Sequence, residues 1–292
     1  ALGYNWHHSY NMSIREEAGL GMIFRHPTGR ETGCPYLQTG ESFYDREEHL
    51  EWKHTEDGYT IYNDDEGVYY HFASIQRAGG FRMLTEISTA DGFKILFRYT
   101  TNGALKEIVE SRGETLYVNT DCQGRVEKIF RRANGKDIPL VGYHYDSSGN
   151  MISTEDSSGT RKFFYYVGHQ LVKLSNQSGM SFHWEYDGEG EASRCIHTWG
   201  DDGVMEYYIE YGDGFTRTTN GLGHTTEYYY HDNKLIYKIV DANGGITRQH
   251  YNEFKELDVV VNPEGYSRRT VFNDFGLPVE ITDENGAKTR LA

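Results

Sequence analysis

The sequence has few of the features that mark membrane or disordered proteins. No stretch of its 292 residues approaches the roughly 20 consecutive apolar residues of a membrane-spanning helix. The start at Ala1 to Tyr4 shows no basic region followed by an apolar one, so no targeting signal is visible. Only five prolines occur, and aromatic residues make up 14% of the chain, which supplies the apolar area that a disordered chain lacks. We therefore expect a folded chain without a membrane span.

Cysteine is also scarce. Cys34, Cys122 and Cys195 are odd in number and far apart. This pattern fits neither a disulfide framework nor a C-x-x-C metal or redox site. We interpret all three as ordinary thiols.

Basic residues are fewer than acidic residues. The chain has 29 Lys and Arg against 44 Asp and Glu, which gives a formal net charge of -15. Such a surface repels a phosphate backbone unless a local basic patch opposes it. Nucleic acid is therefore not an expected partner.

The residues that are abundant favour short strands. The chain contains 33 Gly, 24 Tyr and 14 Phe, while the helix formers Ala and Leu are sparse. Aromatic residues are enriched in strands, and glycine is common in the turns that join them. The composition therefore predicts an all-β protein.

A short internal repeat is the main signal in the sequence. A fixed period makes each segment one copy of a supersecondary unit. Glycines recur at one constant interval near the end of the chain, and so does an aromatic column; these positions are Gly223, Gly244, Gly265 and Gly286, and Tyr230, Tyr251 and Phe272. Upstream, Leu84, Leu105 and Val126 keep the same interval. We therefore predict a lead-in β region over residues 1–83 and a repeat array over residues 84–292.

Each copy of the repeat is predicted to be a β-hairpin. In the last full copy, Thr270 to Phe272 lead into a turn at Asn273 to Gly276, and apolar residues then alternate with polar ones from Leu277 to Thr282. A lone hairpin is marginal in water, so neighbouring units must pair into one sheet. The predicted fold is a tandem array of hairpins in a long, twisted, coiling antiparallel sheet, which can enclose space.

The hairpin interpretation makes two structural predictions. No helix longer than three turns should occur in residues 84–292. Successive side chains of a strand point to opposite faces, so Lys234 and Lys238 should lie on one face and the apolar set on the other. That apolar set is Leu235, Tyr237, Ile239, Leu257 and Leu277.

Candidate metal ligands and acidic clusters have structural interpretations. His7 and His8 follow Trp6, but adjacent side chains of a strand diverge and no third ligand is nearby, so packing or hydrogen bonding is expected. Acidic residues next to glycine are typical of tight turns rather than of Ca²⁺ sites or sugar hydrolysis; these clusters are Asp64 to Gly67, Asp201 to Gly203, Asp213-Gly214 and Asp283 to Gly286.

Two common enzyme motifs do not occur in the sequence. No G-x-S-x-G nucleophile motif occurs, and no G-K-[ST] follows a glycine-rich loop. We assign no catalytic, cofactor-binding or metal-binding residue and expect a protein that is not an enzyme and needs no cofactor.

Several copies of the repeat resemble the YD repeat, written Y-D-x-x-G-x-L. The segment from Tyr145, Asp146 and Gly149 to Ile152 keeps the literal Tyr-Asp pair, and Tyr251 to Leu257 and Phe272 to Pro278 fit more loosely. The opening Leu2-Gly3-Tyr4-Asn5-Trp6-His7-His8-Ser9-Tyr10 resembles the L-G-x-x-W-x-H-x-Y region that precedes the repeats in bacterial Rhs proteins. The sequence therefore resembles the Rhs/YD-repeat family of polymorphic toxins, at the N-terminal part of the shell.

The resemblance implies a function. Members of that family build a spiral β-sheet cocoon around a C-terminal toxin, which type VI secretion often delivers to competing bacteria. The implied partners are the remaining shell, the enclosed toxin and proteins of the secretion spike. The implied location is the bacterial cytoplasm before export, then outside the cell. The family's self-cleaving centre uses aspartates beside a D-P-x-G-L-like motif, and no Asp-Pro occurs in this sequence.

Other interpretations remain open at the level of sequence. Rows of tyrosine at Tyr228 to Tyr230 and Tyr207-Tyr208 suit a carbohydrate- or cell-surface-binding module. A glycosidase is the weakest alternative because no motif supports it. A compact β-sandwich with its own closed core would contradict the shell hypothesis. The shell hypothesis also predicts unpaired sheet edges, because Lys288 begins a further strand after the Gly286 turn, and hence association of the isolated chain.

Overall fold

Strands make up nearly all regular structure in the computed structural model, which describes residues 2–77 and 80–291. The prediction of an all-β fold is confirmed. The described residues contain 27 strands and one three-residue 3₁₀ helix, Asp201–Gly203, so no long helix interrupts the array. No described helix could cross a membrane.

The first fourteen strands are β1 (Ser13–Glu17), β2 (Gly21–Arg25), β3 (Glu31–Cys34), β4 (Ser42–Asp45), β5 (Leu50–Thr55), β6 (Gly58–Asn63), β7 (Val68–Arg77), β8 (Phe81–Thr89), β9 (Lys94–Tyr99), β10 (Leu105–Glu110), β11 (Thr115–Thr120), β12 (Val126–Ala133), β13 (Lys136–Tyr145) and β14 (Met151–Asp156).

The remaining strands are β15 (Arg161–Val167), β16 (Gln170–Asn176), β17 (Ser181–Tyr186), β18 (Cys195–Gly200), β19 (Tyr207–Tyr211), β20 (Phe215–Asn220), β21 (Thr225–Tyr230), β22 (Ile236–Val240), β23 (Ile246–Tyr251), β24 (Leu257–Val261), β25 (Ser267–Phe272), β26 (Pro278–Thr282) and β27 (Lys288–Arg290).

Pairing is antiparallel and mostly local. All 27 strands belong to one sheet. Strands of the array pair with their neighbours in the chain, as β22 does with β21 and β23. The lead-in departs from this pattern because β1 pairs both with β2 and with β8. The chain divides into two compact units at Phe164 and Tyr165, so the domain boundary predicted after residue 83 lies within β8, inside the first unit.

The first unit has an aromatic core. Phe24 and Trp52 are buried, with ring centroids 6.0 Å apart, and Phe72 contacts Phe24 at 5.7 Å. The same cluster reaches the first repeats through Phe97 and Ile108. Lead-in strands and the first repeat strands therefore contribute to one apolar cluster.

The second unit has no comparable core. Among its described residues, 165–291, the buried ones are Ser175, Ser181, Gly200 and Gly276. Both faces of its strands are instead half-buried or exposed. This part of the chain is a single layer of sheet, as expected for a wall and not for a sandwich.

The predicted assignment of side chains to the two faces of the array is partly wrong. Lys238 pairs with Tyr229 and Arg248, so it lies opposite Ile239 as predicted. A bulge between Tyr229 and Tyr230, however, places Tyr237 beside Lys238: the Tyr229 ring centroid is 6.4 Å from that of Tyr237 and 3.4 Å from Lys238 Nζ. An extra residue in a strand shifts the alternation of side chains.

The predicted strand starts also need correction. Leu235 and Leu277 belong to turns, because their strands begin at Ile236 and Pro278. Lys234 adopts a left-handed conformation, with φ of 69°, and so does not take part in the strand alternation.

Candidate functional site

The repeat glycines occupy one position of a recurring turn. At Asp241 to Gly245, the Gly244 N–H donates to the carbonyl of Asp241, and the Asp241 N–H donates to that of Gly245. This closure is a type I turn followed by a left-handed residue. The predicted repeat glycines all have positive φ: Gly149 (88°), Gly223 (80°), Gly244 (84°), Gly265 (89°) and Gly286 (83°). Nothing lies within 4 Å of a β carbon built on Gly244, so conformation and not space selects glycine there.

The acidic or amide residue that opens each turn caps it. Asp241 Oδ1 accepts the N–H groups of Asn243 and Gly245, at 2.8 and 2.9 Å. The Asp146 carboxylate accepts the Asn150 N–H in the same way. Burial alone would raise the pKa of Asp146, but hydrogen bonds from Asn150 hold it below its ordinary value. The "D" of the repeat is therefore a turn-capping residue.

The aromatic column faces an apolar column across each hairpin. Tyr145 pairs with Met151, and three later pairs repeat this relationship: Tyr230 with Ile236, Tyr251 with Leu257, and Phe272 with Pro278. A bulge accompanies each of these four pairs. The columns that recur in the sequence are thus columns of contact in the sheet.

The tyrosine hydroxyls fasten neighbouring repeats together. Tyr145 donates to the carbonyl of Val126 at 2.5 Å, and burial raises the pKa of that phenol. Four other tyrosines donate to a backbone carbonyl 15 or 16 residues earlier: Tyr99 to Leu84, Tyr186 to Leu171, Tyr211 to Cys195 and Tyr230 to Phe215. Tyr251 departs from the pattern and contacts Gln249. We call these bonds the tyrosine clasps.

Arginine covers two of the clasping rings. The Arg125 guanidinium lies 4.5 Å from the ring centroid of Tyr145 and binds Asp121 at 2.6 Å. Burial would raise the pKa of Asp121, but the hydrogen bonds from Arg125 hold it below its ordinary value. Arg194 lies 4.4 Å from the Tyr211 ring and binds Asp187 likewise. Each arginine thus contacts both a tyrosine ring and a carboxylate, and we interpret the two clusters as structural.

Residues near the opening of the sequence lie against the Tyr145 hairpin of the first unit. We call residues 2–12 the strap. The Tyr4 N–H donates to the carbonyl of Gly149 at 2.9 Å. A β carbon built on Gly3 would lie 3.0 Å from Cε1 of Tyr145. The strap thus contacts the hairpin at its turn, next to Tyr145.

Aromatic residues anchor the rest of the strap. Trp6 meets Phe164 edge to face, with centroids 5.2 Å apart, and Tyr10 meets Phe97 at 5.0 Å. Leu2 and Met12 are buried. Val126, in the same apolar cluster as Leu2 and Met12, is 2% exposed.

The two strap histidines form hydrogen bonds, as predicted. The His7 ring bonds to the Asn11 amide at 3.0 Å. His8 Nδ1 accepts the Tyr10 N–H at 3.2 Å, and burial lowers the pKa of His8 to about 4. His8 is therefore uncharged at neutral pH.

The other candidate ligands are turn residues. Asp64 to Gly67 form a turn, and Asp201 to Gly203 form the 3₁₀ helix. Across the described residues 2–77 and 80–291, no group of three or more His, Cys, Asp or Glu side chains is placed to hold a metal ion.

The tyrosine rows do not form one platform. Tyr228 pairs with Ile239 and Tyr229 with Lys238, so consecutive tyrosines lie on opposite faces. Tyr207 and Tyr208 are about half exposed but likewise alternate.

A ring stack across β17, β18 and β19 escaped the sequence analysis. His197 lies between Trp199 and Tyr208, with centroids at 4.2 and 4.1 Å, and His183 stacks on Trp199 at 5.0 Å. His183 also bonds to Asp201, which lowers the pKa of that carboxyl. Only the register of the three strands brings these rings together, so their sequence spacing gave no signal.

Comparisons with known proteins return no matching family model. Curated relatives are similar at low identity. The probable deoxyribonuclease RhsA of Dickeya dadantii is 25% identical over 178 residues, covering 60% of this chain and 12% of that protein. Its RhsB counterpart is 26% identical over 182 residues, covering 62% and 12%. The double-stranded DNA deaminase toxin A of Burkholderia cenocepacia is 22% identical, covering 82% and 16%.

Solved structures are similar at lower identity. The TcdB2–TccC3–Cdc42 complex matches 97% of this chain and 19% of that chain at 11% identity, with a TM-score of 0.46. The Photorhabdus luminescens Tc holotoxin pore matches 98% and 19% at 10% identity, with a TM-score of 0.42.

The chain spans 12 to 16% of the length of the curated relatives. Two of those relatives are Rhs proteins. The turn glycines, capping acids and aromatic column of the YD repeat recur here in a consistent register. In sequence and in repeat geometry the chain therefore resembles Rhs/YD-repeat proteins.

Proposed function

We propose that this chain is a structural segment of the shell of an Rhs-family toxin and acts by enclosure, not by catalysis. The observation that supports this most directly is the second unit, a single layer of sheet whose described residues include no buried apolar side chain. A wall one sheet thick separates two compartments without a core of its own. The tyrosine clasps and capped turns hold successive hairpins of such a wall together.

The proposed cargo is a C-terminal toxin domain carried by the same polypeptide. The curated relatives are named as a deoxyribonuclease and a DNA deaminase toxin. We assign any such activity to a region outside this segment, because the segment's conspicuous polar clusters are paired within turns and clasps. Delivery to competing cells by type VI secretion follows the same proposal, with production in the cytoplasm and then export. The partners are the remaining shell, the toxin and spike proteins.

Protease protection tests the proposal. The experiment uses the complete natural polypeptide that contains this segment and follows the toxin domain by immunoblot during trypsin digestion. We expect the toxin domain to resist digestion, and to become sensitive when Tyr145→Ala and Tyr230→Ala remove two clasps. Tyr266→Ala, at a residue 59% exposed, is the matched control and should leave protection unchanged.

Other results would contradict enclosure. Enclosure would be contradicted if the toxin domain were digested equally fast in the wild type and in the clasp variants. Micromolar binding of a surface glycan, abolished by Tyr207→Ala or Tyr208→Ala, would favour the binding module instead.

A further inference from the structure

Strands β21 to β26 present two chemically different faces. All residues from 225 to 282 are described, and cross-strand partners share a face. One face carries Tyr229, Lys238, Arg248, His250 and Arg269 in register. We call it the charged face. Two of its groups have side-chain partners, because Lys238 lies over the Tyr229 ring and His250 bonds to Asp258.

The opposite face is almost free of charge. Its strand residues are aromatic, aliphatic or uncharged polar apart from Arg268; they include Tyr228, Tyr230, Ile236, Ile239, Thr247, Gln249, Tyr251, Leu257, Val260, Thr270, Phe272 and Ile281. We call it the apolar face. Its side chains are half-buried or exposed, never fully buried. A continuous, partly exposed apolar surface is a candidate interaction site.

The first unit shows what covers this type of surface. The pair Tyr145 and Met151 corresponds to Tyr230 and Ile236 by position in the repeat and by the accompanying bulge. In the first unit the strap lies against the Tyr145 ring, and the cross-strand partner Met151 is 2% exposed. In the second unit Ile236 and Leu257 are only partly buried. The corresponding aromatic and aliphatic pair is therefore more deeply buried in the first unit than in the second.

The composition of the strap indicates what kind of segment would bind the apolar face. Residues 2–12 contain no Asp, Glu, Lys or Arg. They contribute a glycine that fits against a tyrosine ring, and the apolar anchors Leu2, Trp6, Tyr10 and Met12. The cations at this face are Arg268 and the Lys234 ammonium over the Tyr230 ring. An uncharged segment brings no ion of its own to be buried there, and aromatic anchors supply most of the contact area.

We propose that the apolar face of residues 225–282 is a docking surface for an extended, uncharged polypeptide segment with aromatic anchors, of the kind that the strap represents. The inference rests on the proposed function, because a wall has an enclosed side on which such a segment would lie. Binding is possible at more than one repeat, because turns and columns recur along the array and offer equivalent positions.

A peptide of residues 2–12 is the probe. It carries a fluorescein label and is titrated with the full chain while anisotropy is recorded. We expect saturable binding, and binding at least about tenfold weaker for a peptide in which Leu2, Trp6, Tyr10 and Met12 are serine. Hydrogen exchange should slow in residues 225–282 when the unlabelled peptide is added.

Adjacent valines supply a matched pair of variants. Val260 lies on the apolar face between Gln249 and Arg268, and Val259 lies on the charged face between His250 and Arg269. Val260→Glu should weaken peptide binding about tenfold, and Val259→Glu should change it by less than about twofold. Equal circular dichroism spectra of the two variants establish that both fold.

Three results would overturn the inference. These are no saturable binding at about 1 mM peptide, equal binding of the serine peptide, or exchange protection confined to residues 2–164. Each leaves the protease protection of the toxin domain unaffected, so failure of this inference is distinguishable from failure of the shell function.

Discussion

Gly3 is packed against Tyr145 so closely that a β carbon on Gly3 would lie 3.0 Å from Cε1 of the ring and 2.7 Å from the carbonyl oxygen of Gly149. Gly3 also has a φ of 89°, a backbone conformation that residues other than glycine rarely adopt. This contact joins the start of the chain to a hairpin that is distant in sequence. The strap therefore depends on a glycine for both space and conformation.

Gly3→Ala should destabilise the first unit by about 2 to 4 kcal/mol, because steric overlap adds to the conformational cost. Urea denaturation measures the loss. Gly19→Ala is the control: its φ is 81°, but nothing lies within 4 Å of a built β carbon. The control should cost only about 1 kcal/mol, and equal losses for both variants would show that the Gly3 contact is loose in solution.

Tyr145→Phe should cost about 1 kcal/mol, the usual net value of one hydrogen bond. The change removes the bond to the Val126 carbonyl and keeps the ring on which Arg125 lies. Tyr266→Phe, at an exposed residue, should be neutral within error in the same thermal or urea unfolding measurement. A neutral Tyr145→Phe would mean that the clasp does not contribute to stability.

Gly244→Ala should lower the free energy of unfolding by about 1 kcal/mol, because the turn needs a left-handed residue there. Gly244→Asn should recover most of that loss, since asparagine tolerates this conformation better. No atom lies near a built β carbon at Gly244, so steric overlap cannot account for either effect. An asparagine variant less stable than the alanine variant would contradict this explanation.

Acidification should weaken the first unit through His8. Its pKa is about 4 in the folded chain, lowered by burial from an ordinary value of 6.5. Between these values the unfolded chain binds the extra proton and the folded chain does not, so stability falls as pH decreases from 6.5 to 4 and levels off below. The loss from this group is about 3 kcal/mol.

His8→Gln isolates that contribution. Urea midpoints at several pH values should decline less steeply for His8→Gln than for the wild type, with the difference confined to this pH window. Carboxylates titrate in both proteins and so cancel in the comparison. Parallel profiles would show that His8 is solvated in solution.

Local chemistry made much of the array predictable. Glycine at a left-handed position and a capping acid shortly before it are read directly from the sequence, as at Asp241 and Gly244. The alternation of Lys238 and Ile239 was predictable for the same reason.

Long-range geometry was not predictable. The bulge that moves Tyr237 beside Lys238 depends on cross-strand register, which the spacing of residues does not encode. The ring stack of His183, Trp199 and His197 has the same origin. Contact between the strap and Tyr145 requires the tertiary fold.

The local pairing of the strands has a consequence for synthesis. Most strands of the array pair with the strand made just before or just after, so hairpins can form one by one as the chain leaves the ribosome, with little loop-closure entropy. The strap cannot follow this schedule, because its contacts at Tyr145 and Phe164 are translated last in the first unit. The strap therefore precedes the strands that hold it, and Trp6 stays without its Phe164 contact until β15 has been synthesised.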